Sequence, residues 1–320
     1  MNSHPSPQGG WLALPLIAFA SFGSVASAQS LSSLTDYSVV VSGNLSTNSD
    51  IEGRTIVGGN ITSSSSANFG IRLQNTVPRS DLVLRVAGNI VAGNPIQLNA
   101  GSLELGGSRN NRIVNYNGGG SLVSNPGVNY SGIIEDLTLA SQNLATYGSN
   151  SNALFISNGP GQPGPFRMTA SPDSAGLAVF SINSNNLFGN NLVQQIELLT
   201  NNSTNILINV AGQSVNWTAG NMVGNLTQNK WRERVVWNFY QATSIDFGSR
   251  NMMGQVLAPN ATVTTSANID GSIFAKNLIT TSEVHLPGYR GSIVVIPEPS
   301  TSLLGIIGAT ALLFLRRRSH

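Results

Sequence analysis

Val41-Ser-Gly-Asn-Leu45, Val57-Gly-Gly-Asn-Ile61 and Val86-Ala-Gly-Asn-Ile90 repeat one pattern in the first ninety residues. An apolar residue is followed two positions later by Gly-Asn, and then by a second apolar residue. Met222-Val-Gly-Asn-Leu226 is a looser copy, and Gly271-Ser-Ile273 is echoed by Gly291-Ser-Ile293. Gly43 and Gly59 are 16 residues apart, Gly59 and Gly88 are 29 apart, and Gly254, Gly271 and Gly291 follow at 17 and 20. Such intervals suit one coil of a β-solenoid, with an insertion in the second interval. Gly and Asn suit left-handed corners between short strands. Val, Leu and Ile would stack inward, and Asn would ladder at the corners.

Working outward, the body is rich in Asn, Ser, Thr and Gly, a composition that also occurs in disordered chains. Its apolar runs argue otherwise. Tyr37–Val41, Thr55–Val57, Asp81–Val86, Ala178–Ile182, Asn205–Val210, Gly254–Leu257, Ser272–Ala275 and Gly291–Ile296 are strand-sized and end in turn residues. The pattern predicts a mostly β chain, an irregular right-handed β-solenoid. A β-sandwich would satisfy the same strands. One flanking helix is expected from Ser131, as its cap, to Gly148. Ile133, Leu137, Ala140, Leu144 and Tyr147 form its apolar face, with Glu135 and Asp136 in its first turn. Gly159–Pro165 reads as a loop, and as a candidate hinge between two halves.

Of the 320 residues, 16 are Lys or Arg and 14 are Asp or Glu. Setting aside Arg316, Arg317, Arg318 and Glu298 leaves thirteen basic and thirteen acidic residues in 29–296. A formally neutral body has no cationic face for phosphates, so no nucleic-acid partner is expected. With no cysteine, there are no disulfides, thiolate metal sites or cysteine nucleophiles. His4, His285 and His320 are the three histidines, and only His285 lies in the body. A multi-histidine metal site is excluded within one chain, and no metal or cofactor is expected.

The ends carry the address. Trp11–Val25 is apolar, broken by Pro15, and Ala26 and Ala28 occupy the small-residue positions of a signal-peptide cleavage site after Ala28. Residues 1–28 are therefore expected to be an export signal, although the first ten residues lack Lys and Arg. An uncleaved anchor or a misassigned start are the alternatives. At the other end, Pro297-Glu298-Pro299 precede apolar Leu303–Leu315 and then Arg316–Arg318. A helix over Thr301–Leu315 would be about 22 Å long, short of a ~30 Å hydrocarbon core. The arginines predict a cytoplasmic end.

This tail, residues 297–320, resembles the PEP-CTERM sorting signal of Gram-negative bacteria. The resemblance implies an inner-membrane intermediate, removal of the tail by an exosortase, and association with exopolysaccharide. A plain tail anchor is the alternative.

The body, residues 29–296, resembles the choice-of-anchor A family, an adhesive domain of bacterial surface proteins. The match runs through Tyr37–Leu45, Asp50–Arg54, Val57–Ile61, Leu82–Ile90, Ile206–Gly212, Val236–Thr243, Gly254–Ala261, Gly271–Lys276, Glu283–His285 and Gly291. Tyr289 stands where that family usually has phenylalanine. The resemblance implies surface display and adhesion, with no assigned catalytic residue. Asn238, Pro259, Asn260, Glu283 and His285 are motif positions read as structural.

Individual residues offer sharper readings. Glu283 and His285 are two apart, so on a strand they share a face and could act as an acid–base pair. A hydrogen-bonded structural pair closing the last coil is preferred, because no other histidine or cysteine completes a catalytic set. Asp50 and Glu52 could ligate calcium, but read better as turn acids. Trp217, Trp231 and Trp237 could stack on sugars. Trp237 lies in an apolar strand, whereas Trp231, between Lys230, Arg232 and Arg234, is the better surface candidate. Thr262 with Thr264, and Thr280 with Thr281, are short threonine pairs of the kind that extended arrays use to order water. The expected function is adhesion or a structural role at the cell surface or in the extracellular matrix, with a polysaccharide or matrix polymer as partner. The chain is not expected to be an enzyme. A polysaccharide-active enzyme and an ice-binding surface are the alternatives.

Overall fold

The computed structural model describes residues 31–295. The expected signal peptide with Ala26 and Ala28, and the sorting signal with Pro297, Glu298, Pro299, Arg316, Arg317 and Arg318, lie outside the described residues. The described chain is mostly β, with large parallel sheets and few helices. Among its strand pairings, only Asn152–Phe155 with Gly164–Thr169 is antiparallel. That is β-helix-like pairing, not the antiparallel pairing of a β-sandwich.

The main path of the largest sheet explains how the chain is threaded. Its order is Leu122–Ser124, Ser102–Leu105, Leu82–Val86, Arg54–Val57, Tyr37–Val41, Ile273–Thr280, Gln255–Thr265, Val235–Asn238, Asn205–Ala211, Leu177–Asn183. The N-terminal strands therefore run outward from Tyr37–Val41. The later strands start at the far edge and return. The first strand pairs with the last of this sheet, through Val39↔Ile273, Val40↔Phe274 and Val41↔Ala275. The same seam closes elsewhere through Leu45↔Leu278 and Ile51↔Val284. The latter pair belongs to a seven-stranded sheet that also contains Ala67–Phe69, Ile96–Leu98 and Val114–Tyr116.

The sheet is buried on both sides, which is why its strands read as continuous apolar runs. Val39, Val41, Val57 and Ile273 point into one core, while Val40, Ile56, Leu207, Val236, Leu257 and Phe274 point into another. The second core is covered by helix α1 (Ser32–Asp36), by helix α2 (Ser131–Ala145), and by a tail containing Tyr289, Ile293 and Val295. Leu137, Ala140 and Leu144 are the buried stripe of α2.

Several expectations are corrected. Ser131 is the first residue of α2, not its cap, and Glu135 and Asp136 fall beyond the first turn. Ser131 instead bonds Asn129, its Oγ donating to Asn129 Oδ1 at 2.8 Å. Further short helices occur at Ser184–Leu187 and Asn229–Arg232. Residues 291–295 form no strand: Ile293 and Val295 pack on the outer core, and Ile296 is outside the described residues. The Gly159–Pro165 loop is a hairpin connection, tied by Gln162 N–H to Gly159 O at 2.9 Å, not a hinge between halves. The looser repeat at Met222–Leu226 lies in the four-stranded sheet and a 3-10 turn, outside the Gly-Asn column. The insertion expected between Gly59 and Gly88 is present as a 3-10 turn at Ile71–Leu73 and the loop after it.

Candidate functional site

The Gly-Asn repeats stack into a ladder. Asn277 Oδ1 accepts from the Asn44 N–H at 2.8 Å, and Asn44 Oδ1 accepts from the Asn60 N–H at 2.9 Å. Asn60 Oδ1 accepts from Asn89 N–H at 2.7 Å, and Asn89 Oδ1 from Ser108 N–H at 2.8 Å. Each amide thus satisfies a backbone N–H of the neighbouring repeat. The glycines serve closeness, not left-handed geometry. None of Gly43, Gly59 and Gly88 has positive φ, but a Cβ on Gly59 would lie 2.6 Å from Asn44 Oδ1 and 2.8 Å from Gly43 O.

Beside this ladder runs a short-stranded parallel ribbon. Its inward row is Val215, Ile245, Val263, Leu278 and Leu45, all buried. Neighbouring positions point out, because side chains alternate along a strand. One outward row is Ser214, Ser244, Thr262 and Asn277; the other is Asn216, Asp246, Thr264, Ile279 and Ser46. Thr262 Oγ1 accepts from Asn277 Nδ2 at 3.0 Å. The second threonine pair breaks up. Thr280 is buried in register with Thr265 and Thr47, both also buried, while Thr281 is exposed. Pro259 and Asn260 form the corner where Gln255–Thr265 passes from the large sheet into the ribbon, at a break in register between Ala258 and Thr262.

His285 lies at the seam. Its Nδ1 is 2.7 Å from Asp270 Oδ1 and its Nε2 is 2.5 Å from Glu283 Oε2. Arg232 approaches Asp270 at 3.5 Å. Glu52, just after strand Asp50–Ile51, accepts from the Leu286 N–H at 2.8 Å and pairs with Arg72 at 3.0 Å. Burial works against charge on the imidazole, but the bonds to Glu283 and Asp270 and the charges of Asp270 and Glu52 outweigh it and raise the His285 pKa. A carboxylate at each ring nitrogen favours the protonated imidazole, in which both nitrogens donate. Glu283, His285 and Asp270 thus form one hydrogen-bonded group at the seam. Asp270 is the member that sequence spacing did not bring to His285 but parallel register does.

Asn238, fully buried, joins the large sheet to α2 through Ser141 and Asn209. Asp50 accepts from Asn68 Nδ2 at 2.7 Å, so it is a ladder acid, as Glu52 is an ion-pair partner. Among the described residues, no group of three His, Asp or Glu side chains is arranged to hold a metal ion. Trp231, the better surface candidate among the tryptophans, is buried, with Lys230 Nζ 4.9 Å from its ring centroid. Trp217 and Trp237 belong to an internal aromatic cluster with Phe188, Phe239 and Phe247.

Residues 30–286 match the family described as "Putative Ice-binding-like adhesive domain". The chain belongs to this family. No curated protein matches the chain. Among solved structures, an ice binding protein from an Antarctic Biological Consortium aligns at 17% identity, over 85% of this chain and 94% of that one, with a TM-score of 0.29. The adhesive-domain match spans both halves of the chain and the seam, so the ladder, the ribbon and the His285 clamp all belong to the family domain.

Proposed function

We propose that this adhesive domain is displayed at the surface or in the extracellular matrix of a Gram-negative bacterium, and that it adheres through the polar ribbon to an extracellular polysaccharide or matrix polymer. The observation that carries this reading is the pair of outward rows, in which Ser214, Ser244 and Thr262, and Asn216, Asp246 and Thr264, recur in register. Adjacent strands stand about 4.8 Å apart. A repeating polymer laid along them meets hydroxyl, amide or carboxylate groups on successive strands, interrupted in the second row by the exposed Ile279, and weak contacts gain by avidity.

On this reading the parallel sheets are walls of an irregular right-handed β-solenoid. Residues 1–28 direct export, and the body is a choice-of-anchor A domain. Residues 297–320 are a PEP-CTERM signal processed by an exosortase after an inner-membrane intermediate. The role is binding or structure without catalysis, cofactor or nucleic acid. The doubly held His285 supports a non-catalytic role. A polysaccharide-cleaving enzyme would need two carboxylates flanking a bond, and Glu52, Asp81, Glu104, Glu197 and Asp270 are already in ion pairs.

The test is co-sedimentation of the full chain with purified exopolysaccharide, with Thr264→Tyr placing a bulky ring on the ribbon. Binding lost in that variant supports the reading, and binding indifferent to it overturns it. The second reading, an ice-binding surface, is favoured by the family description and by the same outward threonines. Thermal hysteresis abolished by Thr264→Tyr, without polymer binding in the parent, would select it.

A further inference from the structure

The two ends of the large sheet are finished differently. At one end the last strand is Leu122–Ser124, and no described strand covers its outer edge. Leu103 N–H donates to Ser121 O at 3.0 Å and Asn125 N–H donates to Leu105 O at 2.9 Å. Alternate residues face the neighbour, so Leu122 and Ser124 turn their backbone groups outward. Edge strands are usually blunted by charge, proline or a bulge, and this strand carries none of them. Leu122 is 39% exposed and Val123 40%. Ile113, just before the strand Val114–Tyr116 that ends the seven-stranded sheet, is 59% exposed.

At the other end the last strand is Leu177–Asn183. Asn150 seals the first half of its edge: Nδ2 donates to Leu177 O at 3.0 Å, and Oδ1 accepts from Val179 N–H at 2.8 Å. Beyond Val179 the edge opens into a cavity of about 330 Å³, between Ser181–Asn183 and the hairpin strand Asn152–Phe155. Its apolar walls are Ala153, Leu154, Phe155, Phe166 and Ile182, and no charged side chain lines it. The ends also differ in sign. Residues 101–125 hold Arg109 and Arg112 against Glu104, and Arg79 lies beside Gly119, where a Cβ would stand 2.9 Å from its Nε. Arg79 and Arg109 are in no ion pair among the described residues. Residues 149–200 hold Asp173, which is exposed, and Glu197 against Arg167.

An apolar projection at a net positive end and an apolar cavity at a net negative end complement each other, and neither complements itself. Such a contact is heterologous, and repeated from copy to copy it does not close. We propose that copies of this chain associate head to tail, with Ile113, Leu122 and Val123 of one copy seated against the cavity between Leu154 and Ile182 of the next. The contact gives the bare edge of Leu122–Ser124 a neighbour and covers the apolar residues left exposed at both ends. It goes beyond polymer binding and involves no ribbon residue.

Sedimentation of the full chain in a zwitterionic detergent, with no polymer present, should show a mean mass that rises with concentration. Val123→Lys blocks one end and Leu154→Lys the other. Both positions are exposed, so melting temperatures should stay within about 2 °C of the parent. Each variant alone should associate at least about tenfold more weakly. Ile113→Lys and Leu154→Gln are second variants at the two ends and should act in the same direction, while Thr264→Tyr should associate as the parent does. Mixed in equal amounts, Val123→Lys and Leu154→Lys should form dimers and stop there, because each keeps the end that the other has lost. A parent still monomeric at about 0.1 mM, association that neither end's variants weaken, a mixture that forms no dimer, or Leu154→Lys pairing with itself as strongly as the parent would overturn the proposal.

Discussion

Ser141 and Asn238, 97 positions apart in the chain, exchange two hydrogen bonds in a fully buried contact between α2 and the large sheet. Ser141 Oγ donates to Asn238 Oδ1 at 2.6 Å, and Asn238 Nδ2 donates back to the Ser141 carbonyl at 2.9 Å. Asn238 Nδ2 also reaches Asn209 Oδ1 at 2.9 Å, and Asn209 Nδ2 reaches the Leu144 carbonyl at 2.8 Å. Two asparagines in adjacent strands therefore fix the height of the helix as well as its contact.

Asn238→Ala would strand Ser141 and one side of Asn209 without partners in a dry contact. We expect it to cost about 3 kcal/mol, since each buried polar group left unpaired costs roughly 1–3 kcal/mol. Chemical denaturation of parent and variant measures it. A cost within the noise of a surface substitution would show that the contact is dispensable.

The His285 clamp makes stability depend on pH with a definite sign. Its folded pKa is raised above the ordinary value of about 6.5. The stabilisation is therefore complete below that ordinary value and is lost as pH rises through the folded pKa. His285→Asn should lower the melting temperature most at mildly acidic pH and least at alkaline pH. Melting curves across that range would contradict the clamp if the difference grew with pH.

Within the Gly-Asn column, closeness should matter more than any single bond. Asn60→Ala removes one acceptor at an exposed corner and should cost about 1 kcal/mol. Gly59→Ala forces a Cβ against Asn44 Oδ1 and the Gly43 carbonyl, and should cost about 2–3 kcal/mol. The order of the two denaturation midpoints is the check, and the reverse order would refute the account of the glycines.

Thr264→Tyr changes an exposed ribbon position with no ladder role in its side chain. It should shift stability by no more than about 0.5 kcal/mol while reducing polymer co-sedimentation. Unfolding in place of lost binding would remove it as evidence for the ribbon.

Much of this was legible locally. Apolar residues such as Val41, Leu45, Val57 and Ile61 recur with coil spacing, and a repeat of that kind needs no distant information. The Asn ladder was legible for the same reason. The return path was not: nothing near Tyr37–Val41 says that it will pair with Ile273–Thr280, because parallel register between distant segments leaves no local mark. The same blindness separated Asp270 from His285. Trp231 misled because its charged neighbours find partners of their own: Lys230 lies over the indole ring and Arg232 reaches Asp270, so flanking charge did not mean a solvent-facing indole. Composition did not mark the buried asparagines: Asn238 was singled out as structural only through the family resemblance, and Asn209, in a chain rich in Asn, was not singled out at all.

The meeting of the first strand with the last also decides how the domain would bear load. The outermost strands of the large sheet's main path, Leu122–Ser124 and Leu177–Asn183, both belong to the middle of the sequence. Tyr37–Val41 and Ile273–Thr280, nearest the chain's ends, each have a parallel neighbour on both sides. Tension applied at either end therefore enters the sheet at its centre. It must shear several backbone bonds at once, where a pull on a free edge strand would unzip them one at a time.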